Sequence, residues 1–380
     1  MIYFDNAATG GFKPRAVTDA VETVVRYLSA NPTRSGHRLA ITGAQTISKC
    51  RESLANMFGG ISERVIFTKN CTEALNLAIL GFCTQGAHVI TTVYEHNSVL
   101  RPLFALKEKN VITLDVVSPK QDQPFAITIK EKIKPETKLI VATSVSNVTG
   151  YELPINEIAF IAKESGVKLL VDGAQGGGHV QLNLKKDGIN MLALAGHKGL
   201  YGIMGIGALL FDESVELNPI IFGGTGNESF NLNQPSCYPE RLESGTLNLP
   251  AIASLSEGVN YICTNLKNFS AHLYNATEHL INGLNTIKGV QVYSHPNRAG
   301  IVSFSIKNIP SVEVADILNS NYDVAVRGGL HCAPLLHKFL KTDDDGLVRV
   351  SLAVQNSTRE INYFLSAVEK IAKSCNNYKS

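Results

Sequence analysis

Four short segments carry residue types that could do chemistry together. Lys198 stands in Gly196-His197-Lys198-Gly199, directly after five apolar residues at 191–195. Lysine is mostly a surface residue, and a desolvated one has a lowered pKa and can form a Schiff base with a carbonyl group; a plain loop lysine is the other reading. Asp172 lies 26 positions earlier, at the end of the apolar run 168–171, where an unpaired carboxylate is costly to bury. A protonated cofactor nitrogen would answer that charge, and so would a structural salt bridge or turn cap. In Asn70-Cys71-Thr72-Glu73, Thr72 opens a helix whose free N–H groups and dipole suit an anion; a simple helix N-cap is again open to it. Cys332 sits in Val326-Arg327-Gly328-Gly329-Leu330-His331-Cys332-Ala333-Pro334, a constrained loop in which Arg327 and His331 would lower the thiol pKa. The other cysteines, 50, 71, 83, 237, 263 and 375, lack such neighbours and read as small buried hydrophobes.

The elements that must position these residues follow from periodicity. Residues 15–30 and 44–57 read as helices and 64–68 as a buried strand. Helices at about 72–82 and after Ser98 alternate with strands at 88–93, 111–117 and 138–144. Pro154 opens a helix through Lys163, suited to a first turn that needs no N–H, and Gly166 closes it. Strands at 168–171, 191–195 and 207–211 follow. Apolar strands separated by helices predict a mostly parallel sheet covered on both faces, and in such sheets ligands sit beyond the carboxyl ends of the strands. Past Pro250 the texture changes to helices at about 251–267 and 270–285, short strands at 290–293, 301–307, 324–326 and 348–354, and a closing helix at 358–373. The expected organisation is a large α/β domain over 15–250 and a smaller α+β domain over 251–380, with residues 1–14 as an arm of the smaller one. Asp343-Asp344-Asp345 reads as a solvated turn.

Composition limits the function classes. With 380 residues, 44% hydrophobic and 18% charged, the chain can bury a large core. Its net charge of +2 argues against a nucleic-acid partner or a polybasic membrane contact. Seven scattered cysteines without metal-ligand spacing point to reduced thiols, a cytoplasmic setting and no metal. No apolar stretch of about 18 residues suggests a membrane span, and no signal peptide is expected.

An anion-binding helix start, a strand-end Asp, a lysine after it and a mixed C-terminal domain are together what pyridoxal 5'-phosphate (PLP) needs: a phosphate cup, a Schiff-base lysine and an acidic partner for its ring nitrogen. The chain resembles the class V aminotransferase family, within it the cysteine desulfurase and selenocysteine lyase group. The segments that carry the resemblance run in order. They are Phe4-Asp5-Asn6-Ala7-Ala8-Thr9, Arg34-Ser35-Gly36-His37, Thr72-Glu73-Ala74, Glu95-His96-Asn97-Ser98, Ser146-Asn147-Val148-Thr149-Gly150, Val171-Asp172-Gly173-Ala174-Gln175 and Gly196-His197-Lys198. Then come Gly223-Gly224-Thr225-Gly226, Glu243-Ser244-Gly245-Thr246, Arg327 to Pro334, and Arg349-Val350-Ser351-Leu352-Ala353.

That resemblance implies a PLP-dependent transferase fold of the type I aminotransferase kind and a homodimer with shared sites. It implies that Lys198 carries the cofactor and shuttles a proton, that Asp172 pairs the pyridine nitrogen, that Gln175 bonds the ring hydroxyl and that His96 stacks on the ring. Thr72, His197 and the amides about Cys71 would hold the phosphate, with Thr246 reaching the phosphate of the other subunit. Asn147 and Arg349, with Arg327 nearby, would hold the substrate carboxylate, and Cys332 would be the nucleophile that takes sulfur from L-cysteine. An acceptor thiol, in iron–sulfur cluster assembly or another sulfur pathway, would receive it. Alternatives are a class V enzyme acting on selenocysteine, cysteine sulfinate or another amino acid, a sulfur-relay scaffold without turnover, and a nicotinamide enzyme suggested only by Gly176-Gly177-Gly178. The chain departs from the family pattern at Ala195, Asn97, Ile203, Leu247 and Gln355, which marks a divergent branch without removing a catalytic group.

Overall fold

Strands whose side chains are apolar on both faces must be covered on both faces, and the chain does this with two separate cores. The protein is described by a computed structural model over residues 1–32, 36–228 and 230–377, the last three without their side chains. Arg34, Ser35 and Cys375 therefore lie outside the described residues or side chains. The elements run β1 (Ile2–Tyr3), α1 (Arg15–Tyr27), α2 (Arg38–Phe58), β2 (Val65–Thr68), α3 (Cys71–Phe82), β3 (Ala87–Thr92), α4 (Asn97–Glu108), β4 (Ile112–Val117), α5 (Phe125–Lys130) and β5 (Thr137–Thr143). They continue with α6 (Ile155–Glu164), β6 (Lys168–Asp172), α7 (Leu184–Asp187), β7 (Met191–Ala195), β8 (Gly207–Phe211) and α8 (Leu249–Asn285). Last come β9 (Val290–Val292), β10 (Ile301–Ile306), α9 (Ser311–Tyr322), β11 (Val324–Ala325), β12 (Arg327–Gly329), α10 (Pro334–Leu340), β13 (Leu347–Ser351) and α11 (Thr358–Asn377).

Seven strands form one sheet in the order β2-β8-β7-β6-β5-β3-β4. All neighbours are parallel except β8, which runs against both β2 and β7. Side chains alternate between the faces: Leu192 and Leu194 of β7 join the core under α2, α6 and the first half of α8, whereas Met191 and Ala193 join the core under α3 and α4. The type I transferase architecture expected of the family is the one observed. A four-stranded antiparallel sheet, β12-β13-β10-β9, supports a third core with α9, α11 and the second half of α8. The N-terminal arm belongs to that third core: β1 pairs with β11, and Phe4 is fully buried there.

The two helices expected at 251–267 and 270–285 are one helix of 37 residues. Its apolar stripe fades between Ile262 and Leu273, where the helix passes from one core to another. The gap in periodicity marks that crossing and not a break, since neither Gly nor Pro interrupts it. The boundary expected at Pro250 falls in the first turn of this helix. Helix α9 has no counterpart in the sequence reading because only Ser311, Val314 and Leu318 of it are buried, too sparse a stripe to register. Asp343, Asp344 and Asp345 are exposed, as a solvated turn requires.

Candidate active site

The carboxyl ends of β2, β3, β5, β6 and β7 converge on one cavity, lined among others by Cys71, Thr72, His96, Asn147, Asp172, Gln175, His197 and Lys198. Eight of the residues singled out from the sequence are thus brought together. At the start of α3 the N-cap is Asn70, whose Oδ1 accepts from the Glu73 amide at 3.0 Å. Thr72 is therefore not the cap; its hydroxyl lies 2.7 Å from the Ser98 hydroxyl at the cavity wall. The amides of Cys71 and Thr72, in the first turn, have no helical acceptor and face the position where an anion is favoured.

Asp172 ends β6 and is buried. Its Oδ1 accepts from the Ala174 amide at 2.8 Å and from the Cys71 thiol at 3.5 Å, and among the described residues no cation is bonded to it. The Cys71 thiol is pushed well up by burial and then by Asp172, so it stays a neutral donor. Lys198 follows β7. Burial lowers its pKa and the Asp172 charge opposes this, which favours a neutral, reactive amine. Close backbone packing sets its turn: Gly178, at φ +85°, approaches the Gly199 carbonyl so closely that a Cβ would sit 2.1 Å from its oxygen. This is what the run Gly176-Gly177-Gly178 does, and it is no dinucleotide loop. Gln175 donates from Nε2 to the Ala7 carbonyl at 3.0 Å.

His96 caps α4 by accepting the Ser98 amide at Nδ1, 3.0 Å away. Its pKa is lowered, burial leading, and protonation at Nδ1 would break the cap; the ring is held neutral. His197 lies 3.1 Å from the Thr9 hydroxyl through Nδ1. Burial, then the charges of Lys198 and Lys13, lower its pKa to about 4.

The other side of the site comes from the third core. Arg349 of β13 is 1% exposed. It donates from Nη1 to the Asn147 carbonyl and from Nη2 to Asp5 Oδ1, both at 2.9 Å. Asn147 donates from Nδ2 to the His331 carbonyl at 2.7 Å, and the Asn97 amide donates to the Cys332 carbonyl at 2.7 Å. The cysteine loop is thereby tied to two residues at the cavity. His331 and Cys332 both adopt the left-handed conformation, at φ +49° and +58°, which is strained for side chains with a Cβ. Arg327 is exposed and stands opposite Arg349 in the β12–β13 register. Among the described residues, three buried polar atoms here lack partners, Asn147 Oδ1, His331 Nδ1 and Arg349 Nε; the last is a charged donor such as a carboxylate would meet.

One expectation about Cys332 is overturned. His331 is buried, its Nε2 faces the Leu347 carbonyl at 3.0 Å, and burial followed by the Arg349 charge lowers its pKa to about 2. It stays neutral and brings no charge to the thiol; the cations nearby are Arg327 and Arg349. Of the cysteines read as buried hydrophobes, Cys50 and Cys71 are buried and Cys83 partly so, but Cys237 and Cys263 are exposed. Cys237 stands in the polar, proline-rich run Gln234-Pro235-Ser236-Cys237-Tyr238-Pro239-Glu240, a signal for its exposure. Thr246 lies outside the cavity, exposed, accepting at Oγ1 from Asn31. Its segment is held by Glu243, which is paired with Arg51 and accepts the Phe67 amide. Among the described residues no cluster of His, Cys, Asp and Glu could hold a metal.

Three neighbours of the site have no role in the sequence reading. Glu95 is fully buried and its pKa is raised to about 8, burial dominating; it accepts from the Thr92 hydroxyl and the Thr143 amide. Lys13 donates to the His197 carbonyl at 3.0 Å, and Asp5 pairs with Arg349. Glu95 and Asp5 stand inside quoted motifs, yet only the tertiary contact shows what they touch. The donor set fits pyridoxal phosphate: free helix amides and a hydroxyl for the phosphate, a buried carboxylate for a ring cation, and a desolvated amine between them.

The family model of class V aminotransferases matches residues 2–364. Probable cysteine desulfurases of Pyrococcus abyssi and Methanothermobacter thermautotrophicus are 32% and 30% identical, over 98% of this chain and 95% and 94% of theirs. Among solved structures, the apo cysteine desulfurase of Thermococcus onnurineus has 33% identity and a TM-score of 0.91, covering 98% of this chain and 95% of that one. A cysteine desulfurase from Escherichia coli, at 24% identity and TM-score 0.85, covers 97% of this chain and 94% of that one and shows the same fold. With its match from end to end and its cavity built at the expected strand ends, this chain belongs to the class V aminotransferase family.

Proposed function

We propose that the protein is a PLP-dependent cysteine desulfurase, converting L-cysteine to L-alanine and taking the sulfur onto Cys332. The observation that carries this reading is the joining of one cavity, holding Lys198 and Asp172, to the Cys332 loop through Asn147 and Asn97. Its relatives carry the same activity in their names.

Pyridoxal phosphate, when bound, supplies an electron sink for the bonds at the substrate Cα. Lys198, the desolvated amine of the cavity, would hold it covalently, and the same amine, once free, would take and return the Cα proton. Asp172 would keep the ring nitrogen protonated, Gln175 would bond the ring hydroxyl and neutral His96 would stack on the ring. The amides of Cys71 and Thr72, the Thr72 hydroxyl and His197 would hold the phosphate, joined by Thr246 from the second subunit of a homodimer. Arg349, with Asn147, binds the substrate carboxylate through the guanidinium fork, while Arg327 adds positive charge at the mouth. The Cys332 thiolate attacks the substrate sulfur: an S–S bond forms, the C–S bond breaks, and a proton completes alanine. The resulting persulfide passes to an acceptor thiol, in cluster assembly or another sulfur pathway of the cytoplasm. Among the described residues no helix is long and apolar enough to cross a membrane.

The test is assay of the yellow, cofactor-loaded protein with L-cysteine and a thiol reductant, with mass analysis of Cys332. Equal release of sulfide and alanine with a persulfide on Cys332 is expected. A chromophore that does not respond to L-cysteine would sink the reading.

A further inference from the structure

The N-terminal arm reaches the same site from an unexpected direction. Phe4 anchors it in the third core. From there the backbone is zipped to the end of β13: the Ser351 amide donates to the Phe4 carbonyl at 2.7 Å, the Asn6 amide to the Ser351 carbonyl at 3.2 Å, and the Ala7 amide to the Ser351 hydroxyl at 2.9 Å. Ser351 is two residues past Arg349, so Asp5 is fixed against that arginine by main-chain bonds on both sides of it. Its carboxylate takes Nη2 while the Asn147 carbonyl takes Nη1. Both terminal nitrogens of the guanidinium are therefore held, and Nε, buried, has no partner.

We infer that Asp5 is the positioning residue of the substrate-carboxylate site: it fixes the Arg349 guanidinium and aims its unused N–H groups at the incoming carboxylate. A buried guanidinium without a counter-ion is strongly disfavoured. Burial works against the charge of Arg349, and the Asp5 carboxylate opposes this in part. Asp5 itself touches neither substrate nor cofactor; it acts through Arg349. This rests on the assignment of Arg349 to the substrate carboxylate.

The experiment compares two ligands that differ only in that carboxylate. The cofactor-loaded protein is titrated calorimetrically with L-alanine and with ethylamine, in wild type, Asp5→Ala and Asp5→Asn. Asp5→Ala is expected to weaken L-alanine about tenfold, as loss of one charge-assisted contact would, and to leave ethylamine within about twofold. Asp5→Asn, which keeps an acceptor oxygen, recovers most of the loss. In turnover, KM for L-cysteine rises while kcat moves little. Equal weakening of both ligands by Asp5→Ala would make Asp5 a merely structural residue and overturn the proposal. Tighter L-alanine binding in either variant would overturn it too, by making Asp5 a competitor for the arginine. A wild type that binds both ligands equally would instead overturn the role of Arg349, whatever Asp5 does.

Discussion

The two sides of the site are held in different ways. On the large-sheet side, Asp172 and Lys198 follow directly from the ends of buried strands, and backbone contacts such as Gly178 against Gly199 leave those turns no room. On the other side, Cys332 hangs in a loop with two left-handed residues, tied down by single hydrogen bonds from Asn147 and Asn97. The first arrangement places a reactive group by secondary structure. The second places one by a few side-chain and main-chain tethers.

The largest effects should separate the sides by role. Lys198→Ala is expected to lower cysteine turnover by about 10³-fold or more and to abolish covalent cofactor loading, read by absorbance. Cys332→Ala should lower turnover by at least about a hundredfold while the loaded chromophore stays intact and no persulfide forms. Loss of loading in the cysteine variant would break the division.

Next in size is a glycine pair. Gly178→Ala forces a Cβ to 2.1 Å from the Gly199 oxygen and should cost about 2–3 kcal/mol of stability. Gly329, at φ +110° with nothing within 4 Å of its Cβ position, has room; Gly329→Ala should cost about 1 kcal/mol from its backbone angle alone. Denaturant midpoints read both, and equal losses would erase the contrast in packing. Smaller again, Asn147→Ala removes the bond to the His331 carbonyl and should reduce kcat/KM about tenfold, with cofactor absorbance unaltered.

A further effect concerns acid. His197 and His331 are held neutral, with pKa values lowered to about 4 and about 2. The unfolded chain takes up protons at both below about pH 6.5, whereas the folded chain refuses them. Stability therefore rises with pH through that range and falls as the pH drops from about 6.5 towards 4, where His197 begins to charge. Thermal midpoints across this window check the sign; a flat profile would mean that the histidines are not desolvated.

These contrasts also explain what could be read from residues alone. Met191–Ala195 and Gly207–Phe211 appear at their observed bounds, because a buried strand announces itself as an apolar run and the polar residue after it inherits a known position. Lys198, Asp172 and Thr72 were legible for that reason. Asp5 and the neutrality of His331 were not: each depends on a partner hundreds of positions away or on burial by another element, as in Asp5 with Arg349. The continuity of α8 was hidden because a helix serving two cores shows two stripes with a polar gap between them. The Asn70 cap shows the limit of local chemistry, since Asn70 and Thr72, two positions apart, both have side chains that can take the role.

The single helix α8 has a mechanical consequence. At 37 residues and 1.5 Å per residue it is about 55 Å long, a continuous beam built into the large core at one end and the third core at the other. Any swivel of one core about the other must bend that beam, because its first turn, at Pro250, is not a flexible joint. Any opening and closing of the site therefore falls to its smaller parts, such as the cysteine loop, on a stiff chassis.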